Sequence, residues 1–133
     1  MKQSQVLVCE SDGRLAALLS EEAKRHKWAL RAPQSLGACL RLLRRGGPSV
    51  LVLKVGRDLE HDLALLERVA WLQPDTGVVV VGDTDHAALA GLAWDLGADF
   101  VLLPPMPREL LPDIVAGLMR RGPAEEEARP QRT

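Results

Sequence analysis

The sequence predicts one α/β domain of the form (βα)5, an open parallel sheet with helices on both faces. Two observations carry that prediction. Five short apolar runs recur along the 133 residues, and four of them are nearly continuous in Val and Leu, as strands covered on both faces tend to be. Between them lie segments whose Leu and Ala fall at helical spacing. Strands alternating with helices in this way fold, through right-handed crossovers, into a three-layer sandwich.

The elements follow in order. "QVLVC" (5–9) is the first strand, and Leu15, Leu18, Leu19 and Ala23 form the stripe of the helix after it. "WALRA" (28–32) is more polar, with Arg31 inside it, which suits an edge. Leu36, Leu40 and Leu43 mark the second helix, which stops at "RRGG", basic residues followed by glycine. "SVLVL" (49–53) precedes a helix marked by Leu63, Leu66, Val69 and Ala70. "GVVVV" (77–81) is followed by Thr84, the expected N-cap, then Leu89, Leu92, Ala93 and Leu96 up to Gly97. "FVLL" (100–103) leads to the last helix, marked by Leu110, Leu111, Ile114, Val115 and Leu118, with Pro112 expected in its opening turn. The domain is drawn as residues 1–121. The tail 122–133, "GPAEEEARPQRT", has no periodicity and is expected to be disordered.

Bulk properties narrow the function. Hydrophobic residues make up 47% and charged residues 26%, with a net charge of −1, so no global field recruits nucleic acid or anionic lipid. Arginine outnumbers lysine 13 to 4, yet acidic residues balance them. No apolar run is long enough to span a bilayer, and "MKQSQ" passes into the first strand without a signal-peptide core. Cys9 and Cys39 lack metal-ligand spacing and are expected to be reduced core thiols, which implies a cytoplasmic setting. His26, His61 and His86 stand far apart in polar surroundings, so exposure is expected and no metal site. "DLEHD" (58–62) reads as a solvated loop and helix start, and Trp28, Trp71 and Trp94 as core or half-exposed packing. Neither Gly-x-Gly-x-x-Gly after the first strand nor Asp-x-His-x-x-Gly occurs, which disfavours a dinucleotide or cobalamin site. No cofactor is expected.

In open α/β sheets, chemistry gathers beyond the carboxyl ends of the strands, where the strand order reverses. The chain delivers Glu10, Ser11 and Asp12 there, then Lys54 from "VLVLKVG", then Gly82 and Asp83, then Pro104 and Pro105. A lone lysine thus emerges beside carboxylates. It can be a snorkelling strand end, one half of an ion pair with Glu10, or a group that meets a ligand or substrate. Asp12 can cap the first helix, and Asp83 can also reach Lys54. Gly82 is expected to leave room for the long side chain.

The segments "VLVCESDGRLAALL", "GGPSVLVLKV" and "GADFVLLPPM" resemble those of response-regulator receiver domains, the phosphoacceptor modules of bacterial two-component signalling. The resemblance covers residues 5–121. It implies a flavodoxin-like fold with strand order 2-1-3-4-5. It also places Glu10 and Ser11 at the two Mg²⁺-holding acids, Lys54 at the phosphoacceptor aspartate, and Gly82 at the Thr or Ser that bonds the phosphoryl group. Pro104 falls at the lysine after strand five, Pro105 at the usual cis-proline and Val101 at the switch aromatic, while Arg57 and Asp58 replace Met-Pro after the acceptor. An acyl phosphate needs a carboxylate nucleophile and cations to neutralise it, and Lys54 cannot form one.

The sequence therefore points to a pseudo-receiver, a phosphorylation-independent and non-enzymatic signalling module that acts through protein contacts. By the same resemblance its working surface is the fourth helix, fifth strand and fifth helix. Trp94, Asp99, Arg108, Glu109, Arg120 and Arg121 are the interface candidates there, and a homodimer is one expected partner arrangement. The rival reading is a small-molecule or anion-binding module, or a lysine-dependent enzyme, built on Lys54.

Overall fold

Alternation along each strand divides the core in two. In the computed structural model, β1 (Gln5–Cys9) turns Leu7 and Cys9 to one face of the sheet and Val6 and Val8 to the other. The same split holds in β3 (Ser49–Lys54), with Leu51 and Leu53 against Val50 and Val52, and in β4 (Gly77–Val81). The strands β2 (Ala29–Arg31) and β5 (Phe100–Leu102) complete a fully parallel sheet of order β2-β1-β3-β4-β5. Both the fold class and the strand order expected from sequence are borne out.

Helices α1 (Arg14–His26) and α5 (Leu111–Glu127) cover the face of Val6 and Val8, with Leu15, Leu19, Leu111 and Val115 buried against it. Helices α2 (Leu36–Arg45), α3 (Leu59–Leu72) and α4 (Ala87–Leu96) cover the other, where Cys39, Leu43, Leu66, Val69 and Ala93 are buried. The three central strands are buried on both sides. That is why they read as continuous apolar runs rather than alternating ones.

The structure describes residues 2–56 and 58–127, with 121–127 as backbone alone. Arg57, the side chain of Arg121 and residues 128–133 of the expected tail lie outside the described residues. The helical backbone of α5 continues past the boundary drawn at Arg121, through Glu127. Alanine and three glutamates are strong helix formers, and a helix of such residues carries no apolar periodicity. No helix among the described residues is long and apolar enough to cross a membrane.

Several local expectations change. The N-cap of α4 is His86, whose Nδ1 accepts from the Leu89 N–H at 3.1 Å, and not Thr84. Leu92 and Leu110 face solvent instead of the core, and a 3₁₀ turn at Arg108–Leu110 precedes α5. Trp28 stacks on His26 at a centroid distance of 4.5 Å, whereas Trp71 is 82% exposed and so neither core nor half-exposed. Asp58 caps α3 by accepting from the His61 N–H, so "DLEHD" is a helix start.

Candidate functional site

The carboxyl ends of β1, β3 and β4 lie side by side in the sheet, and polar side chains at and beyond them form one chain of alternating charge. Lys54, the last residue of β3, is the centre of it. Its side chain is only 13% exposed, and Nζ lies 3.5 Å from Asp12 Oδ2 and 3.5 Å from Asp83 Oδ2. Asp12 in turn stands 3.7 Å from Arg14 Nε. Asp83 Oδ1 accepts from Arg108 Nη2, and the same nitrogen donates to the Gly82 carbonyl at 3.3 Å. The order is Arg14, Asp12, Lys54, Asp83, Arg108.

Lys54 is therefore paired, but not with Glu10. Both Glu10 oxygens accept backbone N–H groups at the first turn of α1, from Leu15 at 2.8 Å and Ala16 at 2.9 Å. A carboxylate there completes two of the helix's orphan donors and complements its dipole, which competes with the lysine for the same oxygens. Asp12, expected to cap, is not the N-cap, which is Gly13; its Oδ1 accepts from the Arg14 N–H two residues on, while Oδ2 faces Lys54.

The room beside Gly82 is also filled differently from expectation. A Cβ at Gly82 would meet Leu103 Cδ2 at 2.6 Å and Val55 Cγ2 at 3.2 Å. Apolar packing, and not the Lys54 stem, demands glycine there. Val101, which the resemblance sets at the switch-aromatic position, is a buried core residue of β5. Pro104 and Pro105 are joined by a cis peptide bond, as the resemblance implied for Pro105. Ser11 is exposed on the turn after β1.

The acids titrate as their partners dictate. Asp83 is held below the usual carboxylate range, first by the Arg108 hydrogen bond and then by the Lys54 charge. Asp12 is also lowered, chiefly by the Arg14 N–H, with Lys54 adding to it.

Two of the interface candidates make bonds within the domain. Asp99 accepts the Val78 N–H at 2.8 Å while its own N–H donates to the Val78 carbonyl, so it fastens β4 to the turn before β5. Arg108 reaches inward to Asp83. Its part in the site was hidden from the sequence, because it lies four positions beyond Pro104, where the resemblance sets the receiver lysine. Trp94 remains half exposed and meets Phe100 edge to face at 6.3 Å. Met106 and Leu110 are part-exposed nearby in the chain, and Glu109 and Arg120 face solvent.

Beside the charge chain lies an open cavity of about 620 Å³, bounded by the ends of β1 and β3, residues 33–35 and the start of α3. No group of three or more His, Cys, Asp or Glu among the described residues is placed to hold a metal ion. Mg²⁺ does not fit the residues present. The Glu10 oxygens are committed to α1, Ser11 offers no charge, and the Lys54 ammonium stands between the remaining two acids.

No family model and no curated protein matches the sequence. Solved structures do match in fold. The chain is similar to the signal receiver domain of a protein described as a Luxo repressor from Vibrio parahaemolyticus, with TM-score 0.74 and 18% identity over 98% of this chain and 100% of that one. It is similar to a CheY-like receiver domain protein from Methanospirillum hungatei JF-1, with TM-score 0.72 and 13% identity over 96% and 99% of the two chains. A response regulator from Thermotoga maritima gives 0.72 and 19% over 90% and 99%. The domain has the fold of response-regulator receivers.

Proposed function

We propose that this domain is a pseudo-receiver of two-component signalling, a non-enzymatic module that acts through protein contacts and takes no phosphoryl group. One observation carries the proposal: the ammonium of Lys54, the residue that the sequence resemblance sets at the phosphoacceptor position, is paired on both sides, with Asp12 and Asp83. An ammonium is neither a phosphoryl acceptor of the acyl type nor a ligand for Mg²⁺. It also supplies, within the chain, positive charge where a receiver would recruit a cation.

The receiver fold supports the signalling role, and the α4–β5–α5 side is the contact surface by analogy with that fold. Trp94 against Phe100 gives that side an aromatic anchor, and Glu109 and Arg120 are exposed on the segment that follows β5. A protein of the signalling pathway is the partner expected on it, and a second copy of the chain is one such arrangement.

Incubation with Mg²⁺ and acetyl phosphate, followed by intact mass measurement, tests the reading. The unmodified mass is the expected result, and a stable phosphate adduct would contradict it.

A further inference from the structure

Trp71, in the last turn of α3, is 82% exposed, and Leu72 beside it is 44% exposed. Single surface leucines need no explanation, but a tryptophan offers about 150–250 Å² of contact area and is rarely left in water. The outer side of α4 is apolar as well: Leu92 is 45% exposed, and "AALAGLAWDL" carries Asp95 as its single charge. A helix apolar all round calls for cover. Helices α3 and α4 pack together, and a Cβ at Gly97, just after α4, would meet Ala70 Cβ at 2.5 Å. Their last turns therefore lie side by side.

On the other flank of α3, the helix α2 is basic. Its sequence "LGACLRLLRR" has no acid, and Arg41, Arg44 and Arg45 are exposed. The strand order and right-handed crossovers set α2, α3 and α4 in that order over one sheet face, all running the same way. The last turns thus grade from Arg44 and Arg45, through Trp71 and Leu72, to Asp95. Among the described residues, none of these three charges has an ion-pair partner.

We propose that this face seats a second copy of the chain, in a closed two-fold dimer whose axis runs parallel to α3. Rotation about such an axis lays α2 of one copy over α4 of the other at the same height. Arg44 and Arg45 then face Asp95 of the second copy, twice by symmetry. Trp71 and Leu72 lie near the axis and meet their own counterparts, an apolar centre within a charged rim. Glu67 and Arg68, both exposed and one turn earlier on α3, have opposite signs and pair reciprocally across the same axis. An axis perpendicular to α3 within the face would set α2 on α2 and oppose like charges, so complementarity selects one arrangement. This surface shares only α4 with the α4–β5–α5 side, and the inference does not rest on the loss of phosphoryl transfer.

Sedimentation equilibrium of the full chain tests the dimer. The expected result is a monomer–dimer equilibrium that salt weakens and that Trp71→Ala weakens about tenfold or more. Arg44→Glu with Arg45→Glu in one variant, and Asp95→Arg in another, should each abolish the dimer alone. An equimolar mixture of the two should restore it, because every reversed charge again meets its opposite. Recovery on mixing also shows that both variants are folded. A wild-type monomer at high concentration, either charge variant associating at wild-type strength, or indifference to Trp71→Ala would overturn the inference. So would a mixture of variants, folded by circular dichroism, that stays monomeric. A dimer that Trp94→Ala abolishes and the charge variants retain would also overturn it, and would put the second copy on the α4–β5–α5 side.

Discussion

Lys54 avoids the cost of a buried, unpaired ammonium by standing between two carboxylates, neither of them deeply buried. Solvent screens such a pair, so its net worth is modest, and its consequence is positional. Lys54→Met should lower stability by about 1 kcal/mol, read as a drop of a few degrees in Tm. In double-mutant cycles, Lys54 should couple more strongly to Asp83→Asn than to Glu10→Gln, because Glu10 spends both oxygens on α1. Equal coupling, measured by chemical denaturation, would contradict the geometry. The acids set a pH dependence of known sign. Asp83 and Asp12 titrate lower in the folded chain than their ordinary value of 3.8. Their contribution is therefore full above that value and is lost as pH falls below it through the folded pKa. Asp83→Asn should flatten this acid limb in a series of melts, and an unchanged limb would remove Asp83 from the account.

At the scale of elements, the loop after β4 and the start of α5 are tied by Arg108, which bonds Asp83 and the Gly82 carbonyl at once. Packing beneath that loop is tight. Gly82→Ala must push Leu103 aside and should cost about 1–3 kcal/mol in denaturant unfolding. A neutral substitution would mean that the space is open after all. On the outer side, Trp94→Ala should weaken any self-association seen by light scattering, and a wild-type monomer at high concentration would end the homodimer proposal. How legible these elements were in the sequence depended on the range of the forces involved. Strands and helix stripes follow from local periodicity, so Val78–Val81 and Leu15–Leu19 could be read directly. The lysine at the end of β3 was equally plain. Its partner was not, because the α1 backbone donors compete for Glu10 and no sequence spacing encodes that contest. Arg108 reaches Asp83 across 25 positions, and Leu103 rather than Lys54 fills the space at Gly82. Both are consequences of tertiary packing.

For the whole molecule, the receiver fold is present, and in the function proposed the chain's own charges stand in for ligands at its switch point. The sheet order brings β1, β3 and β4 side by side, so Asp12, Lys54 and Asp83 meet whatever the remainder of the surface does. The central claim is that this internal pairing replaces metal and phosphoryl group. It is tested most directly by ¹H–¹⁵N correlation spectra recorded with Mg²⁺ alone and with Mg²⁺ plus beryllium fluoride, a phosphoryl mimic. The account predicts no saturable shifts at Glu10, Ser11, Asp12, Lys54, Gly82 or Asp83 under either condition. Saturable shifts confined to those residues, spreading to α4 and β5 with the mimic, would contradict it.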